Sequence, residues 1–196
     1  TLFVNGSYST IMQHNGYLYA SGTILDADNG KIIKKLEGSF KWANGPFVEN
    51  SEGKDILYMP GVDGKMVAID TSTMEIIDSF TFKTSDTTGL QAGAVFSEKE
   101  SRLYWHDAIV AKIYSIAINS DGTFDENSFI EKTPTSGITT TCTPVVFNGR
   151  VYFAGQKDGA SANGGYIEVC DSETLETIYV TNKIGAKIQS TPILSY

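Results

Sequence analysis

Apolar residues in this chain fall in short runs bounded by clusters of Gly, Asp, Asn and Ser, and no stretch shows the 3.6-residue period of a helix. The pattern is clearest from Ile56 to Phe82. Ile56-Leu57-Tyr58-Met59 reads as a strand, and Pro60-Gly61-Val62-Asp63-Gly64 as a hairpin turn in which Asp-Gly supplies positive φ angles. Lys65-Met66-Val67-Ala68-Ile69 follows as a second strand, Asp70-Thr71-Ser72-Thr73 as a second turn, and Glu75 to Phe82, rich in Ile, Phe and Thr, as a third strand.

This unit recurs. Leu57-Tyr58 matches Leu18-Tyr19, Leu103-Tyr104 and Val151-Tyr152, so the anchor tyrosines stand 39, 46 and 48 residues apart. Ile69-Asp70 matches Leu25-Asp26 and Cys170-Asp171, and more loosely Ile118-Asn119. A strand also precedes each tyrosine. Ser9 to Tyr19 lies over Cys142 to Tyr152 with Asn15-Gly16 and Asn148-Gly149 in register as hairpin turns, while Gly45-Pro46-Phe47-Val48 and Gly93-Ala94-Val95-Phe96 hold the same place in the other two units. The expected organisation is one all-β domain of four four-stranded units, at approximately 7–37, 40–83, 90–132 and 138–182. Ser190-Thr191-Pro192-Ile193-Leu194 repeats Cys142 to Val146, so 186–196 is expected to hold the first strand of a further unit.

Composition narrows the function class. The 196 residues are 41% hydrophobic with 19 Gly and only five Pro, which suits strands and turns and excludes a disordered or collagen-like chain. No apolar run is long enough for a helical membrane span, and the net charge of −8 is spread over turn acids without a basic stripe, so neither a membrane span nor a nucleic-acid partner is expected. The chain opens without Met and inside the first repeat, as expected of a piece of a longer polypeptide whose targeting sequence lies elsewhere.

Candidate chemistry is sparse. Asp26, Asp28 and Glu37 stand at the first, third and twelfth positions of a calcium loop, but Gly30 comes one place early and the reading is a plain turn. His14 and His106 fall in turns of different units and no Cys sits at ligand spacing, so no metal site is expected. The insertion Gly155 to Gly165 reads as a surface loop; its Gly159-Ala160-Ser161-Ala162-Asn163 lacks the second glycine of a nucleophile elbow. No catalytic residue can be assigned. Cys142 and Cys170 are expected to be unbonded, because the register puts them on the first and third strands of one unit, about 9 to 10 Å apart.

Strand, Asn-Gly, Leu-Tyr, Asp-Gly, a strand ending Ala-Ile-Asp and a turn closing on Gly-Lys resemble the quinoprotein-alcohol-dehydrogenase-like (PQQ-like) β-propeller repeat, most legibly in Asp63 to Asp70 and Asp28 to Ile33. The resemblance spans nearly the whole chain and implies a β-propeller of four-stranded antiparallel blades, about four blades plus one extra strand, within a larger propeller. Blades stack face to face, which accounts for strands that are apolar at consecutive positions. The sequence departs from the dehydrogenase branch: Ile33-Lys34-Lys35, Ile77-Asp78-Ser79 and Ile178-Tyr179-Val180 stand where a tryptophan is expected, and there is no adjacent cysteine pair to lie against a quinone. No cofactor is therefore expected.

The function expected is a non-catalytic binding or scaffold module, with a protein or carbohydrate ligand, in a larger secreted or cell-surface bacterial protein. Two alternatives stand beside it: a fragment of a quinoprotein-type oxidoreductase with its active site on other blades, and a homotypic assembly domain joined through unfinished propeller edges. Propeller connectivity puts the turns between second and third strands on the face that carries the inter-blade connections. Trp42, His106, Asp107, Lys157 and Asp158 are then expected to share one ligand-binding rim.

Overall fold

The computed structural model describes residues 10–40, 44–83, 92–107, 110–139, 142–157 (backbone alone at 157), 164–185, 188 and 191–193, and every element among them is a β-strand. Blade 1 is β1 (Met12–His14), β2 (Tyr17–Ala20), β3 (Thr23–Asp26) and β4 (Ile32–Lys35), paired in chain order. Blade 2 is β5 (Phe47–Glu49), β6 (Asp55–Pro60), β7 (Lys65–Asp70) and β8 (Glu75–Thr81), and blade 3 is β9 (Val95–Ser97), β10 (Arg102–Asp107), β11 (Lys112–Ile118) and β12 (Phe124–Lys132). Blade 4 has a fifth strand. The two-residue β13 (Ile138–Thr139) and β14 (Val145–Phe147) both pair with β15 (Arg150–Lys157), followed by β16 (Gly165–Asp171) and β17 (Thr177–Val180). All pairings are antiparallel.

The consecutive apolar positions are explained by three joints between blades. In β6, Leu57 and Met59 pack toward blade 1 while Ile56 and Tyr58 pack toward blade 3, so both faces of the strand are buried. Cross-strand rows repeat at each joint. Met12, Tyr19 and Ile24 meet Phe47, Leu57 and Ile69; Tyr58 and Ala68, with Phe80 beside them opposite Met66, meet Phe96, Leu103 and Ile116; Val95, Tyr104 and Ile130 meet Val146, Val151 and Cys170. Trp105 is fully buried in the second joint, ringed by Phe82, Tyr114 and Phe129.

Turn chemistry follows the repeat. Asn15-Gly16 and Asn148-Gly149 all take positive φ, as a two-residue I′ hairpin requires. In the Pro60 to Gly64 turn, by contrast, only Gly64 is left-handed (φ 81°), while Asp63 serves through its side chain, Oδ1 accepting the Lys65 amide at 3.3 Å. The positive-φ pair expected there is therefore a wider turn with a single left-handed residue. Between third and fourth strands, the carboxylates of Asp26, Asp70 and Asp171 each accept two backbone amides two and three residues on. That use of Asp26 makes the stretch an Asx turn. Just past each of these turns the pairing of third and fourth strands slips by a bulge, in blade 3 as in the others. A bulge in the same place in every blade bends the outer strand and adds twist.

Gly45 and Gly93, matched in the repeat, have ordinary φ but no room. A Cβ at Gly45 would lie 1.6 Å from the Tyr58 carbonyl oxygen, and one at Gly93 would lie 1.4 Å from Asn44 Oδ1. Both let the incoming segment press against a neighbouring strand or connection.

Three expectations are corrected. The loop expected over Gly155 to Gly165 is shorter, because β15 runs on to Lys157 and β16 begins at Gly165, with Gly155 opposite Tyr166 and Gln156 opposite Gly165. Cys142 precedes β14 instead of lying on it; it and Cys170 are buried and not joined in a disulfide, and burial pushes the Cys170 thiol up to about 12. Thr191, Pro192 and Ile193 form no strand, and the rest of the expected strand over 186–196, Ile188 apart, lies outside the described residues.

Candidate binding rim

The hairpin Gly61 to Gly64 fixes one end of the blades. Its Val62 amide donates to Ser39 O at 2.8 Å in the connection from blade 1, and Gly64 O accepts the Phe82 and Lys83 amides at 3.0 and 3.3 Å where the chain leaves for blade 3. Middle turn and connections of blade 2 thus meet at one end. Asp107 ends β10 and Lys157 ends β15, the corresponding second strands of blades 3 and 4.

His106 and Asp107 were expected in a turn, but both belong to β10, opposite Ile113 and Lys112, and both side chains are buried. The second hairpin of blade 3 starts later than the turn residues suggest, and strand alternation sends the two side chains to opposite faces, both of which are covered. Lys83 ion-pairs with Asp107, whose Oδ1 also accepts the Val110 amide at 3.2 Å. His106 Nε2 donates to the Cys142 carbonyl in the connection entering blade 4. A carbonyl can only accept, so the ring carries its proton on Nε2. Burial holds the His106 pKa below the usual histidine value, against smaller upward pulls from hydrogen bonding to the Cys142 and Asp107 backbone and from the Asp107 charge. The group of Lys83, His106, Asp107 and Cys142 is a clamp between connections. Trp42 and Asp158 lie outside the described residues, as does the Lys157 side chain, whose backbone pairs with Ile138.

A second clamp was not foreseen. Glu168, on β16, is fully buried and accepts the amides of Thr135 (2.8 Å) and Ser136 (2.9 Å), the Ser136 hydroxyl, and the Thr177 hydroxyl at 2.6 Å. It pins the turn that carries the chain from β12 to β13. The only trace in the sequence is a charged residue inside an apolar strand, Tyr166-Ile167-Glu168-Val169-Cys170.

The anchor tyrosines have chemistry of their own. Tyr58 Oη donates to Gly122 O and Tyr104 Oη to Ser172 O, each at 2.8 Å and each crossing to the last turn of the following blade. Burial raises both phenol pKa values well above the usual range. At the outer strands, Lys34 pairs with Glu75 and Lys132 with Glu176, again joining one blade to the next. Nearer the inner strands, His14 stacks on Phe47 at 4.2 Å and bonds Asp55 at 2.9 Å.

Among the described residues no group of three His, Cys, Asp or Glu side chains is placed to hold a metal ion, and no helix is long and apolar enough to cross a membrane. No family model matches the chain, and no curated protein matches it significantly. Solved structures do. BamB from Moraxella catarrhalis aligns over 99% of this chain and 56% of its own, at 15% identity and a TM-score of 0.61. The Cps50 (Swd1) β-propeller domain of Myceliophteria thermophila aligns over 95% and 58%, at 16% identity and 0.60. The hydrazine synthase of Kuenenia stuttgartiensis aligns over 88% and 46%, at 11% identity and 0.56. The chain spans little more than half the length of the first two and shares their architecture at identities that establish fold alone: it is a run of β-propeller blades.

Proposed function

We propose that this chain is a non-catalytic scaffold module of a larger secreted or cell-surface protein, and that it binds protein through the face formed by its middle turns and inter-blade connections. The observation that carries this reading is the use made of its reactive side chains. His106, Asp107 and Lys83 are spent on holding connections, and Glu168 on holding a turn, while the neighbouring hairpin leaves Val110 exposed. The likeness to BamB and to a further propeller domain supports the module, and the PQQ-like repeat pattern supports its placement outside the cytoplasm.

Peptides selected by display against the chain test the reading directly. Bound peptide should slow amide exchange around Gly61 to Gly64 and Val110-Ala111, and Val110→Asp should weaken binding; protection confined to the opposite turns would overturn the assignment of the face. The oxidoreductase alternative draws on the same repeat resemblance and on the hydrazine synthase among the structural neighbours. Saturable binding of added quinone with alcohol-dependent dye reduction would establish it in place of the scaffold.

A further inference from the structure

Three side chains converge where the first hairpin of blade 1 meets the start of β6, at the end of the blades opposite the Gly61 to Gly64 turn. His14 Nε2 lies 2.9 Å from Asp55 Oδ2, and the Asn15 carboxamide nitrogen lies 3.0 Å from that same Nε2 and 3.3 Å from that same Oδ2. The three atoms form a closed triangle whose sides cannot all be hydrogen bonds. If Nε2 carries a proton, it donates to the carboxylate and cannot accept from the carboxamide. If it carries none, it accepts from the carboxamide and meets the carboxylate as one acceptor facing another. In either tautomer one side of the triangle is left without a bond.

A cation resolves that conflict. Two donors held about 2.1 Å from one metal ion stand about 3.0 Å apart along an octahedral edge and about 3.4 Å apart along a tetrahedral one, close to the three separations found. A half-turn of the Asn15 carboxamide puts its oxygen where its nitrogen stands, the two orientations having the same shape. The imidazole is held in place by stacking on Phe47, with ring centroids 4.2 Å apart, and the His14 and Asp55 side chains are 22% and 31% exposed, shielded yet within reach of a hydrated ion. Glu49, directly across from Asp55, adds a second carboxylate charge. Tyr19, whose ring also packs on Phe47, has its hydroxyl buried without a hydrogen-bond partner, whereas Tyr58 and Tyr104 bond the next blade. Polar capacity in this joint is thus not used up within the chain. The combination is also particular to it. Phe147 stands where the matched hairpin of blade 1 has His14, and Ser101 and Gly149 stand where blade 2 has Asp55, three residues before the anchor tyrosine, so packing of the repeat does not call for these side chains.

We propose that His14 Nε2, Asp55 Oδ2 and the Asn15 carboxamide oxygen bind a divalent first-row transition-metal ion, with water in its remaining positions. An imidazole beside two oxygen donors suits zinc, copper or nickel, whereas calcium and magnesium take oxygen ligands. Sequence spacing does not show the site, because one donor is an asparagine and another comes from the next blade. His14 and Asn15 belong to blade 1 and Asp55 lies 41 and 40 residues further on, so the ion staples the joint between blades 1 and 2. Its entry requires Nε2 to give up any proton it carries, to Nδ1 or to solvent. Folding is what brings the donors together, so bound metal stabilises the folded chain by mass action.

Zinc chloride titrated calorimetrically into the whole chain, stripped beforehand with a chelator, tests this. One equivalent should bind at zinc concentrations between about 1 μM and 1 mM. Ring proton resonances of His14 should move on binding, while those of the buried His106 stay in place. His14→Ala and Asp55→Ala should each weaken binding by about tenfold or more, since even partners outside the ligand set are worth that much. Asn15→Gly, which keeps the left-handed φ of 45° open to the hairpin, should weaken it as well. Glu173→Gln, an exposed carboxylate in a turn of blade 4, should leave it unchanged. Zinc should raise the thermal midpoint of the parent chain and of Glu173→Gln but not that of His14→Ala. Absence of saturable uptake by about 1 mM zinc overturns the proposal. So does uptake that leaves the His14 resonances in place, that survives either His14→Ala or Asp55→Ala, that ignores Asn15→Gly, or that falls equally in Glu173→Gln.

Discussion

Single side chains in this protein do their work across blade boundaries. Tyr58 and Tyr104 each reach a backbone carbonyl in the next blade from a buried position. Tyr58→Phe or Tyr104→Phe should therefore cost about 1 to 2 kcal/mol in urea unfolding, the worth of a hydrogen bond plus an acceptor left dry. Glu168 is a stronger case, because Glu168→Ala strands four donors at once. We expect a loss of about 3 kcal/mol, with faster amide exchange at Thr135 and Ser136 as the local mark of the released turn. His106 supplies a pH dependence. Its folded pKa is depressed below the usual 6.5, so as pH falls through that value the unfolded chain takes up a proton that the folded one refuses. Stability should then drop by up to about 1.4 kcal/mol per pH unit until the folded pKa is reached. Urea titrations between pH 7 and pH 5 should show this slope, and His106→Gln should lose the part of it that His106 contributes.

At the scale of the element, what matters is how closely each strand can approach its neighbour. Gly45 is the sharpest instance, since an added methyl would meet the Tyr58 carbonyl at 1.6 Å and backbone cannot swing aside as a side chain can. Gly45→Ala should destabilise by about 1 to 3 kcal/mol through overpacking, measured by the shift in the urea midpoint at constant slope. The third turns tell a related story. Gly30 supplies the left-handed residue in blade 1, yet Met74 (φ 61°) and Leu175 (φ 57°) occupy the same place in blades 2 and 4. Both side chains are buried in joints, so packing offsets the strain of a left-handed non-glycine residue.

At the scale of the molecule, stability should follow the joints. Blades 2 and 3 are covered on both faces, and their middle strands β6, β7, β10 and β11 hold most of the fully buried residues. These strands should exchange their amides most slowly, and β4, β8 and β17, with exposed outer edges, faster. Trp105→Ala should cost about 3 to 5 kcal/mol, because the lost ring empties the joint where Phe82, Tyr114 and Phe129 converge. The matching observation would be loss of the slow-exchanging amides in both blades together.

The repeat by itself determined the four strands common to each blade, the order in which they pair and most of the turns that join them, but not β13, the far ends of β10 and β15 or the form of the Pro60 to Gly64 turn. Those are local properties: Asn15-Gly16 and Asn148-Gly149 can hardly be anything but hairpin turns, and apolar residues at consecutive positions require a strand covered on both sides. Partnership across blades was decided only in three dimensions. His106 and Asp107 read as turn residues open to ligand, and became a buried clamp because the carbonyl and the ammonium that satisfy them come from Cys142 and Lys83, 36 and 24 residues away. Glu168 was invisible as a site for the same reason, since its donors Thr135 and Ser136 arrive from another blade's connection. The recurrent bulges and the crowding at Gly45 likewise depend on where a neighbouring strand runs. Sequence spacing fixes what a residue can offer, whereas the stacking of blades fixes which distant group is there to accept it.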